Sequence, residues 1–221
     1  MGALDGDKFS NTHAFYNSPD LGWKGVNVEV DPESYARLVV NRKNDIANVH
    51  AAVCGESRTI HFATGSSKAV GGIWEFATAD YREKWWPGVT LEETVPVQCA
   101  PLNVILDQAL GAGHHYFDFW SLDVEGAELS VLRGTDFGKL GFGIIIVESH
   151  EDTPLADMDG EIIEFLNERG YDLITDRDTH CTADNMLENR GFKRDNWFIN
   201  RDFKKIYAGY TTDQRRNKLR G

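Results

Sequence analysis

Apolar and polar positions alternate or recur along this chain in segments that predict strands and helices in turn. Lys24–Pro32 (KGVNVEVDP) is a Val-rich run closed by an acid and a proline, and Pro32–Asn44 then spaces apolar residues at three and four. That sequence predicts strand, tight turn, helix. Asn48–Gly55 (NVHAAVCG) and Arg58–Gly65 (RTIHFATG) read as strands, and so does Thr94–Ala100 (TVPVQCA). Pro101–Gly113 begins on proline, runs apolar at helical spacing and stops at glycine, which predicts a helix with both ends marked. Tyr116–Gly126 (YFDFWSLDVEG) and Gly141–His150 (GFGIIIVESH) are nearly continuous apolar strands, with a helix expected from Gly126 to Phe137 between them. A helix over Asp159–Gly170 and two late strands, Tyr171–Thr175 and Asn196–Asn200, complete the pattern.

Strands alternating with helices predict an α/β domain built on a mainly parallel sheet with helices on both faces. Gly65–Glu93 keeps no period and is too long for a simple connector, so it is expected to be a lid or an ordered surface loop, with Trp85 and Trp86 anchoring it to the core.

Composition narrows the reading. The chain has 221 residues, 41% hydrophobic and 26% charged, enough for one sizeable core. A net charge of -12 argues against a nucleic-acid surface. The charge is uneven: Arg201–Gly221 holds seven Lys or Arg against Asp202 and Asp213, so a domain over 1–200 followed by a basic tail over 201–221 is expected. No apolar run is long enough for a membrane span. Cys54, Cys99 and Cys181 are odd in number and widely spaced, so no disulfide framework is expected and a reduced, cytoplasmic setting fits. Neither the cysteines nor the seven histidines repeat at a ligand spacing, and no metal site is expected.

Ligands of a parallel sheet bind at the carboxyl ends of its strands, and the acids collect there: Glu29, then Asp123 and Glu125, then Glu148. The opening turn GALDG sets Gly2 and Gly6 four apart, unlike the G-x-G-x-x-G of a dinucleotide site, and no P-loop is present. Glu29 arrives at the distance expected of a carboxylate that accepts two ribose hydroxyls. A phosphate-free adenosine ligand such as S-adenosylmethionine therefore fits better than NAD.

Taken in order, GALDGDKFSNT, LGWKGVNVEVDPESYARLVVNR, VPVQCAPLNVILDQ, DFWSLDVEGAELSVLRGTDF, IIIVE and DNWFIN resemble the FkbM-type methyltransferases from about Gly2 to Asn200. The Asp-Val-Glu-Gly-Ala-Glu-Leu run is the most specific part. The resemblance implies a class I Rossmann-like methyltransferase fold, S-adenosylmethionine as methyl donor and a small-molecule hydroxyl acceptor on a sugar or other metabolite. It also implies that Gly2, Ala3 and Gly6 form the turn beneath the cofactor with Asp5 nearby, that Glu29 holds the ribose, and that Ala52 flanks the adenine. Asp123 and Glu125 would lie beside the sulfonium and the acceptor, and Asp123, Glu125 and His150 are the candidate bases. In this family the first central strand precedes the glycine turn, so the chain is expected to start after that strand. A non-catalytic binding or scaffold protein on the same fold is the alternative.

Overall fold

The computed structural model describes residues 1–149, 156–174 and 195–202. His150, Cys181 and the tail beyond Asp202 lie outside them. A short helix α1 (His13–Tyr16) follows the opening turn, and β1 (Val26–Glu29) leads into α2 (Pro32–Asn41). Asp31 starts α2 by accepting the Ser34 N–H at 2.8 Å, with Pro32 in the first turn where its missing N–H costs nothing. Then come β2 (Ala47–His50), β3 (Ala52–Val53), β4 (Arg58–Ala63), β5 (Gly72–Ile73), α3 (Ala79–Trp85), β6 (Val95–Ala100) and α4 (Leu102–Leu110). The remaining elements are β7 (His115–Leu122), α5 (Glu128–Gly134), β8 (Leu140–Glu148), α6 (Ala156–Glu168), β9 (Tyr171–Leu173) and β10 (Asp195–Asn200).

The α/β alternation is present, but the expected single, mainly parallel sheet is not. The strands form three sheets: β1-β2, then β7-β8-β10-β9, then β3-β6-β4-β5. β1–β2, β3–β6 and β7–β8 are parallel, whereas β4 runs antiparallel to β5 and β6, and β10 antiparallel to β8 and β9. The physical reason is pairing rather than periodicity. Among the described residues nothing pairs β1 to β7, so the two parallel pieces that would make one sheet are separated by a seam.

The main core joins both sides of that seam. Val28 of β1, Leu122 of β7, Ile145 and Val147 of β8, Leu132 of α5 and Ile162 of α6 are all buried in one cluster. Phe142 is its aromatic centre, 1% exposed, with its ring 4.4 Å from Trp120 and 5.8 Å from Phe117.

The expectation of no disulfide is corrected. Cys54 and Cys99 are bonded, with their Cα atoms 5.7 Å apart. The parallel register of β3 with β6 sets Ala52 opposite Cys99, and the Cys54 N–H donates to the Ala100 carbonyl at 3.2 Å, which carries Cys54 to its partner. The two residues are 45 apart in sequence, so only the strand pairing brings them together.

Candidate functional site

The acids at the strand ends are held by backbone. After β7 the chain turns through Glu125 at φ 56° and Gly126 at φ 97°, a left-handed pair that a non-glycine residue adopts only when its surroundings impose it. Glu128, fully buried at the start of α5, imposes it: its Oε1 accepts the Val124 N–H at 2.8 Å and its Oε2 the Gly126 N–H at 3.0 Å. Its carboxylate clamps the turn, where the sequence suggests only a packing or surface role. The Glu125 carboxylate accepts the Tyr81 O–H at 2.6 Å. Tyr81 is fixed in turn by Trp86, 1% exposed, whose indole N–H donates to the Val70 carbonyl at 2.7 Å and whose ring meets Tyr81 edge-on at 5.4 Å. The aperiodic Gly65–Glu93 stretch is therefore tied to the acids through one tyrosine, a residue that periodicity gives no reason to select.

The opening turn docks between β1 and β7. The Met1 ammonium donates to the Ser121 carbonyl at 2.8 Å, the Asp123 N–H donates to the Met1 carbonyl at 3.4 Å, and the Ala3 N–H donates to the Val28 carbonyl at 3.2 Å. Gly2 sits at φ 70°, and a Cβ there would lie 1.7 Å from the Asp123 carbonyl oxygen, so no other residue fits. Glu29 joins the turn to β1, its two oxygens accepting the Leu4 N–H at 2.7 Å and the Asp31 N–H at 2.8 Å. Asp5 accepts the Asp7 and Lys8 N–H groups within its own turn, at 3.1 and 2.9 Å. Gly6 is buried against α2, where a Cβ would meet Leu38 and Arg42 at 2.6 Å.

A cleft of about 100 Å³ is lined by Gly2, Glu29, Ala52, Asp123 and Glu125, with Lys68 across from them. Ala3 lines a second, larger cavity instead, and Asp5 and Gly6 line neither. His150 lies outside the described residues.

Burial and crowding set the charges here. Desolvation and the neighbouring Glu125, Glu128 and Asp195 push the Asp123 carboxyl up to about 7. Glu148 is pushed higher still by burial and by Asp123 and Glu125, so it carries a proton at neutral pH. Its Oε2 is buried with no hydrogen-bond partner among the described residues. Burial also raises Glu29, opposed by the N–H groups of Asp31 and Leu4. Oxygens of Asp123, Glu125 and Glu148 lie within 4.8 Å of one another. Histidine and cysteine spacing, on which no metal site is expected, says nothing of three carboxylates that β7 and β8 bring together.

With this geometry in hand, a comparison with known families decides the class: the model of the methyltransferase FkbM domain matches residues 1–173. The chain belongs to that family. No curated protein and no solved structure matches it. Membership of the FkbM family makes the protein a methyltransferase by descent and gives the Asp123–Gly126 turn a chemical context. Among the described residues no helix is long and apolar enough to cross a membrane.

Proposed function

We propose that the chain transfers the methyl group of S-adenosylmethionine to a hydroxyl oxygen of a sugar or other small metabolite, in the cleft at the ends of β1 and β7 beside β3. The observation that carries this reading is convergence: Gly2, Glu29, Ala52, Asp123 and Glu125, which the FkbM resemblance ties to cofactor and chemistry, line one cleft. Residues 1–200 are read as one unit and 201–221 as its basic tail. The disulfide fits an oxidising compartment better than a reduced one.

The residues present suit the cofactor. Each Glu29 oxygen already accepts one N–H and keeps a second lone pair for a ribose hydroxyl. The carboxylates of Asp123 and Glu125 favour a cation beside them. When bound, S-adenosylmethionine supplies an electrophilic methyl on a positively charged sulfur. Asp123, raised into the neutral range, is matched to take the proton of an attacking hydroxyl at physiological pH. Glu148, whose oxygen lies within 4.8 Å of those of Asp123 and Glu125, keeps a proton beside them. Tyr81 holds Glu125 in place from the opposite wall.

At about 100 Å³ the cleft is below the roughly 300–1,000 Å³ of ligand pockets, so the wall over Lys68–Ile73 must move outward for binding. Lys68 restrains that wall through Asp31 at 3.1 Å and Glu33 at 3.4 Å. The same narrowness favours the second reading, a protein that keeps the fold without turnover. Calorimetry with S-adenosylmethionine and its demethylated product, followed by labelled-methyl transfer to a panel of hydroxylated acceptors, separates the two. Binding followed by transfer supports the enzyme, and a folded chain that binds neither supports the scaffold.

A further inference from the structure

We propose that the Cys54–Cys99 bond is a redox clasp on the cleft: closed, it holds the wall around Ala52 in place for an adenosine ligand, and opening it to two thiols weakens that binding. The inference rests on the reading of the cleft as the S-adenosylmethionine site. β3, which carries Ala52, is two residues long. Ala52 opposite Cys99 and Val53 opposite Ala100 pair it with β6, and among the described residues it pairs with no other strand. So short an edge strand opens at little cost, and the disulfide is the covalent part of its attachment.

The surroundings of the bond give its state a consequence. Both cysteines are buried in a small cluster with Ala52, Ile60, Ile73 and Ala127, against which Val30 and Val124 pack. Val30, Ala52, Ile73 and Val124 also line the cleft. The bond therefore stands one layer behind the apolar wall that a ligand would touch. In the other direction Cys54 runs into Gly55, which packs so closely on the end of α5 that a Cβ on Gly134 would collide with the Gly55 Cα. α5 begins at Glu128, whose carboxylate clamps the Val124–Gly126 turn. A shift of β3 is thus passed to the apolar wall directly and to the acids through one helix.

The open state is also provided for. The Glu56 carbonyl oxygen lies 2.8 Å from the Cys54 Sγ and 3.7 Å from the Cys99 Sγ, so each thiol would find an acceptor where it stands. Residues 56–59 are exposed, which brings solvent to the chain directly after Cys54. A dithiol reductant balances the step. One of its thiolates attacks one sulfur of the bond, and the other cysteine leaves as a thiolate and takes up a proton. The reductant's second thiol then closes its own disulfide and frees the remaining cysteine, so that two electrons and two protons pass to the protein.

The test uses the full chain with Cys181→Ser, which leaves these two as its only cysteines. Calorimetry with S-adenosylmethionine is run on the oxidised chain, on the same chain held in dithiothreitol and on Cys54→Ala/Cys99→Val, and amide hydrogen exchange at Val124 and Gly126 is read for each. The clasp predicts affinity about 5- to 150-fold lower in the two open forms, the range of ordinary coupling between sites, and faster exchange at both amides. By reciprocity, saturating cofactor should raise the ratio of reduced to oxidised dithiothreitol at half-reduction by the same factor. Equal affinity in closed and open chains overturns the proposal. Unfolding on reduction also overturns it, because the bond would then be a staple for the whole domain. If the oxidised chain binds no cofactor, the S-adenosylmethionine reading fails and exchange decides the clasp: faster exchange at Val124 and Gly126 on reduction keeps it, and unchanged exchange overturns it.

Discussion

Two hollows meet at Met1 and Gly2, one of about 100 Å³ walled by carboxylates at the ends of two strands and one of about 480 Å³ walled largely by aromatic and aliphatic side chains. In the small one Glu29, Glu125 and Lys68 are held by hydrogen bonds, and the left-handed turn at Glu125 is clamped by a second, fully buried glutamate. In the large one the edges of β1 and β7 face each other with no strand between them among the described residues. Volume marks where packing is incomplete. Chemistry is marked by the concentration of desolvated charge, because crowding carboxylates in a low-dielectric cleft costs free energy that only use can justify.

The comparison can be broken first at the disulfide, which supports the sheet carrying Ala52 but contributes nothing to the seam. For a closed loop of 45 residues, Cys99→Ser is expected to remove about 4 kcal/mol of stability. Chemical denaturation measures the loss, and thiol titration of the unmodified chain should find only Cys181 free. Three reactive thiols would refute the bond itself.

Next in size is Asp123→Asn. The side chain stands at a strand end, so turnover should fall about a hundredfold, or about 2.7 kcal/mol, with Tm unchanged or raised. Early melting with full turnover per folded molecule would instead make Asp123 a structural group.

The small hollow should also be visible in the pH dependence of stability. Asp123 and Glu148 are raised above their unfolded values, so the folded state holds protons the unfolded state has lost, and stability falls as pH rises from about 4 upward. Each contributes up to about 1.4 kcal/mol per pH unit across its own window, which for Asp123 closes near 7. The Met1 amine is lowered to about 6, so it acts in the opposite sense between 6 and 8. Urea titrations from pH 4 to 9 should show a decline that flattens in Glu148→Gln. An identical profile in the variant would show that Glu148 is not the proton holder.

The smallest change is Tyr81→Phe, which deletes one hydrogen bond to a carboxylate across the cleft. It should weaken cofactor binding by about 1 to 1.5 kcal/mol and leave exchange at β7 untouched.

How much of this was legible follows the range of the interactions. Local period reports local burial, so the order of strands and helices and the acids at strand ends could be read directly, as Glu29 and Asp123 show. Pairing is nonlocal, and so the split into three sheets and the Cys54–Cys99 bond could not. Glu128 reads as an ordinary acid at a helix start because nothing in a sequence says that solvent is absent there. Tyr81 lies in a stretch with no period, where only its partner Glu125 distinguishes it.

Gly2 is part of the wall the two hollows share, with no room for a single extra carbon against the Asp123 carbonyl. A shared wall lets the hollows communicate. A ligand of the larger hollow that shifts this shared wall changes the affinity of the cleft by some factor, and a molecule held in the cleft changes the hold on that ligand by the same factor.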